Sequence, residues 1–378
     1  LVTNLLIKKE ILAADLFAGA GGFTMSAQNL GIQVAAAIEF DRHAAATYRD
    51  NFIGEEGKAP HLFEEDITQL SPSRFMREAG IQKGKLDIVM GGPPCQGFST
   101  HRINDAGVDD ERNELLIRYF QFVRTLRPKI FVVENVPGLL WARHASYLEK
   151  FMKQAEESGY NVFEPVLLNA RDFGVPQNRK RVFIVGTAKE LVGEPSWPPT
   201  PTHGSPKACK EDDDLLPWVT AATVFKGQPP KDDPNNVHMN HTPELVEVFK
   251  NTPKNGGSRW QSGRVLKCHD QHDGHKDVYG RINPKLPGPT MTTACINPSK
   301  GRFVHPTQNH GITLRQAARF QTFPDDFVFQ GGLMAAGKQI GNAVPVKLGE
   351  AVLLPLLQCL TEVYAGTAGR DNQSAAAE

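Results

Sequence analysis

Between residues 11 and 187, short apolar runs alternate with segments whose apolar residues recur at helical spacing. That is the pattern of an α/β fold, with strands of a mostly parallel sheet joined by crossover helices. The runs predict strands over 11–17, 33–39, 87–90, 130–134, 162–169 and 181–187, and the spacing predicts helices over 22–30, 42–51, 113–127 and 145–158. In the third helix, Leu115, Leu116, Tyr119, Phe120, Val123 and Leu126 form one stripe that must face the sheet. From about residue 195 the periodicity stops. Pro195, Pro198, Pro199 and Pro201 read as a stiff linker, and the acidic stretch 211–214 as a solvated loop. The expected organisation is a first domain over 1–194 and a smaller irregular domain of short strands and long loops over 195–310. Helical patterns return at 313–320 and 345–364, within a segment, 311–365, expected to pack back on the first domain. The tail, 366–378, is rich in Gly, Ala, Ser and Gln and reads as disordered.

Composition narrows the class only modestly. With 40% hydrophobic and 22% charged residues in 378, the chain reads as an ordinary globular protein of about two domains. No apolar run approaches the roughly 18–20 residues of a membrane span, and no signal peptide is expected from the first ten residues. Five scattered cysteines without paired spacing point to a reducing, cytoplasmic setting. The 42 basic and 42 acidic residues cancel, which taken alone argues mildly against a nucleic-acid partner, so local charge has to decide.

Four segments carry candidate chemistry. The nonapeptide 91–99, Gly-Gly-Pro-Pro-Cys-Gln-Gly-Phe-Ser, follows a predicted strand and lifts Cys95 to its carboxyl end. Open parallel sheets place reactive groups there. Pro94 stiffens the approach, and Gln96 and Ser99 give the thiol polar surroundings, although a lone cysteine is also a common small core residue. The polar stretch 99–112 reads as a closing lid. In a second segment, a strand ends in the glycine loop Phe17-Ala18-Gly19-Ala20-Gly21-Gly22, which opens a helix. Backbone can approach a ligand closely at such a helix N-terminus.

Glu39 ends the next strand about 20 residues on, where an acid accepts hydrogen bonds from ribose hydroxyls. Asp66, beside Ile67, is placed to take an adenine amino group, and Phe17 and Phe40 to sandwich the ring; a tight turn with ordinary surface acids is the alternative. The third segment delivers Glu134 to the same sheet end as Cys95, as a helix cap or as an acid–base group. In the fourth, Gln177, Arg179 and Arg181 share one side of an extended chain, suited to phosphates, carboxylates or base edges, or to a solvated edge. A local basic loop holds Lys254, Gly256, Gly257, Arg259 and Arg264 without an acid, suited to a phosphate backbone. Cys268, His269, His272 and His275 match no common metal spacing, so no metal is expected.

Together and in this order, these motifs resemble the DNA cytosine-5 methyltransferases of bacterial modification systems. The resemblance covers about 11–187 and 281–360, and extends to Gly280-Arg281, Pro289-Thr290-Met291-Thr292-Thr293, the run from Leu314 to Gln321, and Gln339-Ile340-Gly341-Asn342-Ala343-Val344-Pro345. It implies a Rossmann-like methyltransferase fold, S-adenosyl-L-methionine as methyl donor, double-stranded DNA as substrate, and 195–310 as a target-recognition domain. It further implies Cys95 as nucleophile toward carbon 6 of a flipped-out cytosine, Glu134 on ring N3, Arg181 on O2, and Arg179 on a flanking phosphate or the closed loop. Asn342 and Val344 would complete the cofactor pocket, with Leu115 an apolar wall. A monomer is expected, and a restriction endonuclease acting separately is left open. The alternatives are a tRNA cytosine-5 methyltransferase, which usually has a smaller recognition region, a catalytically silent DNA-binding regulator, and a small-molecule methyltransferase.

Overall fold

A computed structural model describes residues 9–54, 59–94, 114–262 and 277–375. Eight strands build the central sheet: β1 (Leu12–Leu16), β2 (Gln33–Ile38), β3 (His61–Phe63), β4 (Ile88–Gly91), β5 (Ile130–Asn135), β6 (Tyr160–Val162), β7 (Val166–Asn169) and β8 (Lys180–Ala188). The order is β3-β2-β1-β4-β5-β8-β6, with β7 also pairing β8. The first five strands are mutually parallel; β8 runs antiparallel to β5, and β6 and β7 antiparallel to β8. The helices are α1 (Gly22–Asn29), α2 (Arg42–Phe52), α3 (Pro72–Glu78), α4 (Glu114–Leu126), α5 (Ala145–Glu157), α6 (Ala208–Glu211), α7 (Pro243–Asn251), α8 (Leu314–Phe320), α9 (Gly332–Asn342) and α10 (Val346–Ala375).

Strand side chains alternate between two apolar layers, as a sheet covered on both faces requires. Ala13, Ile88, Met90, Ile130, Val132, Phe183 and Val185 pack with α1 and α10. Ala14, Leu16, Val89, Phe131, Val133, Val182 and Ile184 face the opposite layer, which holds Phe75, Phe122 and Phe151 from α3, α4 and α5. Ends are set locally: Asp41 accepts from the first N–H groups of α2, Ser71 caps α3, and Thr313 with Gln316 forms a capping box on α8. A third cluster joins Tyr48 and Phe52 of α2 to Phe320, Phe323, Phe327 and Phe329, and to Ile282, Met291 and Phe303 of the irregular region. Helices α8 and α9 thus share one core with both parts of the chain. The stretch 332–366 is long and apolar enough to cross a membrane, but 67% of its apolar window is buried within the protein.

The expectations miss β3, α3, α6, α7 and α9, the single strand expected over 162–169 is two strands, β6 and β7, and the tail expected to be disordered from 366 continues α10 to Ala375. In the irregular region, buried polar side chains replace regular structure. Arg281 donates to the carbonyls of Phe249, Thr252, His305 and Gln308, and Arg315 forks onto Asp233 at 2.7 and 2.9 Å. Asn235 exchanges both amide hydrogen bonds with the backbone of Phe329. At the centre of the sheet, Phe131 on β5 is paired in register with Gly186 on β8, and a Cβ at 186 would lie 2.2 Å from the ring. Gly186→Ala is therefore expected to cost about 1–3 kcal/mol by overpacking. Urea denaturation measures this, and an unchanged midpoint would mean that the ring can yield.

Candidate active site

Strand order reverses between β1 and β4, and ligands of open α/β sheets bind in the crevice outside the carboxyl ends at such a point. Leu16 and Gly91, the last residues of β1 and β4, are register partners. Both predicted loops therefore leave the sheet side by side. A Cβ at Gly91 would lie 2.3 Å from the Leu16 carbonyl oxygen, so only glycine allows the strands this approach. Beyond it, the Asn135 amide reaches the Pro93 carbonyl at 3.3 Å, and a Cβ at Gly92 would sit 3.2 Å from Glu134 Oε2. Pro94 is exposed. Cys95, Gln96, Ser99 and the expected lid at 99–112 lie outside the described residues.

On the β1 side, the chain turns through left-handed backbone at Phe17 (φ 64°), Gly19 (58°) and Gly21 (89°) before α1 begins at Gly22. Glu39 lies across this turn: its Oε2 accepts from the Gly19 N–H at 2.7 Å and its Oε1 from the Asp41 N–H at 2.6 Å. Burial raises the Glu39 pKa, which the two N–H groups oppose. Each oxygen keeps a lone pair for a hydroxyl. Space beside Gly19 is open, Phe40 is 73% exposed, and Phe17 is half-buried against the core. Asp66 accepts from the Thr68 N–H at 2.8 Å in the turn after β3, with Ile67 buried behind it.

Ala20 is buried in the cluster with α2, and Leu115 is half-buried against the α4 core. Exposed Asn342 ends α9, while buried Val344 presses on the glycine loop, its carbonyl 2.4 Å from where a Gly22 Cβ would stand. Beneath the loop lies a chain that the sequence reading missed: Thr24 donates to Asp15 at 2.8 Å and meets the Tyr48 hydroxyl at 3.0 Å. Burial pushes the Asp15 carboxyl up to about 7. The apolar neighbours of Asp15 in sequence gave no sign of these partners.

On the β5 side, the antiparallel register opposes Glu134 to Phe183 and Asn135 to Val182, so Arg181 follows directly past the carboxylate. Arg181 Nε lies 2.8 Å from Glu134 Oε1, with the two side chains 13% and 10% exposed. The contact is an ion pair without a well-aligned hydrogen bond, since Oε1 has no partner of good geometry. Burial lowers the Arg181 pKa, and Glu134 opposes that shift. The pair stands next to Gly92.

Two expectations need correction. Arg179 is fully buried and donates to the carbonyls of Met291, Gly341 and Ala343 at 2.7, 2.9 and 3.0 Å, so it does not reach a flanking phosphate. Its Gln177 neighbour is likewise interior, bonded to Phe320, Gln321 and Met291. Arg259 is 2% exposed with its guanidinium 4.3 Å from the Trp260 ring, so it is no surface contact for a phosphate backbone. Lys254 is exposed; Gly256 takes φ 109°; Gly257 is buried where a Cβ would strike the Pro253 carbonyl at 2.2 Å. Arg264, Cys268, His269, His272 and His275 lie outside the described residues.

Two large cavities lie away from the crevice. One of about 700 Å³ opens at the opposite end of the sheet, by Lys129 and Tyr364. It holds none of the candidate residues. Another of about 640 Å³ lies in the irregular region, lined among others by Lys226, His238, His305, His310 and Arg319. There, His238 stacks on His310 with centroids 3.9 Å apart, and His305 Nδ1 accepts from the N–H groups of Thr307 and Gln308. Among the described residues no cluster of His, Cys, Asp and Glu suits a metal ion.

A mostly parallel sheet with a glycine loop and an acid at its switch point has the architecture of a Rossmann-like α/β enzyme. A family model for C-5 cytosine-specific DNA methylase matches residues 11–357, and the chain belongs to that family. It is a DNA cytosine-5 methyltransferase. Among curated relatives, the Type II methyltransferase M1.HphI of Haemophilus parahaemolyticus is 33% identical over 348 residues, covering 92% of this chain and 87% of its own length. M.XorII, a Type II methyltransferase of Xanthomonas oryzae pv. oryzae, is 33% identical over 367 residues, with 90% and 83% covered. A solved E. coli structure, described as a prophage-encoded DNA modification methyltransferase, matches the fold with TM-score 0.71 at 24% identity, covering 93% of this chain and 99% of its own. Entamoeba histolytica methyltransferase EhMeth matches with TM-score 0.62 at 12% identity, covering 93% and 99%.

The site yields two expectations. Arg181→Met leaves the Glu134 carboxylate buried and unpaired and should cost about 3–5 kcal/mol in chemical denaturation, most of it recovered by adding Glu134→Gln. Separately, burial foremost and neighbouring charges next pull the pKa values of His241 and His310 down, and that of His305 to about 4. Above pH 6.5 these groups are neutral in both folded and unfolded chains. As pH falls from 6.5 toward 4 the unfolded chain takes up protons that the fold refuses, so stability drops, by about 1.4 kcal/mol per pH unit for a fully unprotonated histidine. Urea titrations at pH 7.5 and 5 should show the loss, and His305→Asn should reduce it.

Proposed function

We propose that this chain transfers a methyl group from S-adenosyl-L-methionine to carbon 5 of a cytosine flipped out of double-stranded DNA, through a covalent bond between Cys95 Sγ and carbon 6. The observation that carries the reading is the Glu134–Arg181 pair beside Gly92, three residues before Cys95 in the chain. Carbon 5 of cytosine is a weak nucleophile. Addition of the Cys95 thiolate to carbon 6 turns the ring into an enamine with electron density on carbon 5. Glu134, protonated or sharing a proton, hydrogen-bonds ring N3 as the thiolate adds, and Arg181 donates to O2. Gln96 and Ser99 give the thiol polar surroundings, and the 99–112 segment closes over the flipped base. Loss of the carbon 5 proton to a base or water then returns electrons to the ring, expels Cys95 and restores the double bond. Flipping costs a few kcal/mol, recovered from contacts to the base and to the gap it leaves.

The crevice suits the methyl donor. Glu39 has acceptor capacity for ribose hydroxyls, Gly19 leaves open space beside its backbone, and Phe40 presents an exposed ring. Phe17, Ala20, Gly21, Gly22, Asp66, Ile67, Pro94, Leu115, Asn342 and Val344 would complete its walls. When bound, S-adenosyl-L-methionine supplies the electrophilic methyl group.

We assign residues 1–194 to the catalytic part, 195–310 to target recognition, 311–365 to helices returning to the core and 366–378 to a tail. Exposed Lys254 and the basic residue Arg264 are the retained candidates for DNA contact. A monomer acting in the cytoplasm, with any restriction endonuclease a separate protein, completes the reading. The 116-residue span of the recognition part favours DNA over tRNA. Bisulfite sequencing of plasmid DNA from cells expressing this chain should reveal methylcytosine at one sequence context, and Cys95→Ser should abolish it. Duplex DNA containing 5-fluorocytosine should trap a denaturant-stable adduct at Cys95. Methyl incorporation into tRNA but not duplex DNA, or wild-type activity in Cys95→Ser, would overturn the proposal.

A further inference from the structure

Three polar side chains of Gln177, Arg179 and Gln321 are each 0% exposed, far from water that would satisfy them. Burying such groups is costly unless their hydrogen bonds are made inside. Here Gln177 bonds Gln321, and all three reach backbone carbonyls or N–H groups, with Arg179 Nε alone left without a hydrogen-bond partner. Gln177 Oε1 accepts from the Met291 N–H at 2.7 Å, and its Nε2 donates to Gln321 Oε1 and the Phe320 carbonyl, each at 2.9 Å. Gln321 Nε2 donates to the carbonyls of Ile340 and Ala343 at 2.6 and 3.0 Å. Arg179 closes the ring by donating to Met291, Gly341 and Ala343. Met291 is thus gripped at both its N–H and its carbonyl, and the last helical turn and cap of α9, 340–343, are held through three carbonyls.

The two segments so joined are pressed together. A Cβ at Gly341 would lie 2.2 Å from the Thr292 backbone, leaving no slack between them. The turn leads into Val344, whose carbonyl leaves no room for a Cβ at Gly22 in the glycine loop. The Gln321 carbonyl in turn receives the Val346 N–H at 3.0 Å, fixing the start of α10. On the other side, Arg179 is two residues from Arg181, which touches Glu134. A continuous run of contacts therefore joins the glycine loop and Val344 to the carboxylate pair.

We infer that Gln177, Arg179 and Gln321 form a positioning unit that sets the separation between the methyl-donor crevice and the Glu134–Arg181 base site. The inference rests on the donor and base assignments proposed above. These residues touch neither ligand; they act by holding Met291 against the 340–343 turn. Methyl transfer needs two reacting atoms at a fixed approach, and misplacement by about 1 Å costs on the order of a hundredfold in rate. An unanchored turn would loosen Asn342 and Val344 while leaving the surface that meets DNA intact.

Gln321→Met keeps the side-chain volume and removes the hydrogen bonds. In the full chain, S-adenosyl-L-methionine KM is expected to rise about tenfold and kcat to fall about ten- to a hundredfold, with duplex DNA Kd within about twofold of wild type. Gln177→Met should behave alike, and the double variant should be little worse than either, because one broken link opens the ring. Lowered melting temperature with KM and kcat unchanged would reduce the unit to a structural role and overturn the inference. Where the Met variants do not fold, Gln177→Glu serves: its activity relative to wild type should climb as pH falls and the carboxyl regains a proton to donate, and a flat ratio would overturn the inference. A wild-type chain that binds no S-adenosyl-L-methionine, or methylates no cytosine, would instead refute the assignments on which it rests.

Discussion

The parallel pairing of Leu16 with Gly91 is the constraint on which the rest of the site depends. Two loops of unrelated sequence leave the sheet from these adjacent ends, one toward Glu39 and the other toward Glu134. The pairing is tight because residue 91 has no side chain; any larger residue would drive β4 away from the Leu16 carbonyl. Buried strands on both faces make this register hard to slip, since a shift by one residue would turn Ile88 and Met90 out of one apolar layer into the other. The crevice is thus fixed by the core rather than by its own residues.

The second half of the site comes from reversing direction. Because β8 enters antiparallel to β5, the segment before it arrives at the carboxyl end of β5, where Glu134 sits. A parallel strand would have brought its own carboxyl end there, and the Gln177–Arg181 segment would lie at the far edge. Burying Arg181 against Glu134 is expensive in desolvation, and such pairs are weak grounds for stability. The irregular region solves a different problem with the same residue type. Its described residues hold no extended sheet or long helix, and the buried guanidinium of Arg281 satisfies the carbonyls of Phe249 and His305.

Much of the fold was legible. The strands at 12–16, 33–38 and 130–135 are mostly apolar because helices cover both faces, with polar residues only near their ends, and such runs stand out in a sequence. β3 escaped because it is three residues long with an exposed His61, and α9 because its glycines and mixed polarity blur the helical period. Of the candidate site, the glycine loop with Glu39 was readable from spacing, and Glu134 and Arg181 were readable singly, while their contact with each other was not. Gln177, Arg179 and Arg181 alternate along an extended chain, the spacing that would put them on one side. Yet two of them face the interior and one the crevice, and nothing in the alternation distinguishes these fates.

The sequence by itself determined which residues could do chemistry and the order of strands and loops that present them. It did so because local rules, side-chain period, glycine turns and acids at strand ends, are written in neighbouring positions. Tertiary structure alone decided that Arg179 and Arg259 are buried, that Gln321 joins Gln177, and that Val344 rests on Gly22. Those outcomes depend on segments as much as 322 positions apart meeting in space, and burial at a contact between distant segments leaves no periodic signal in either one.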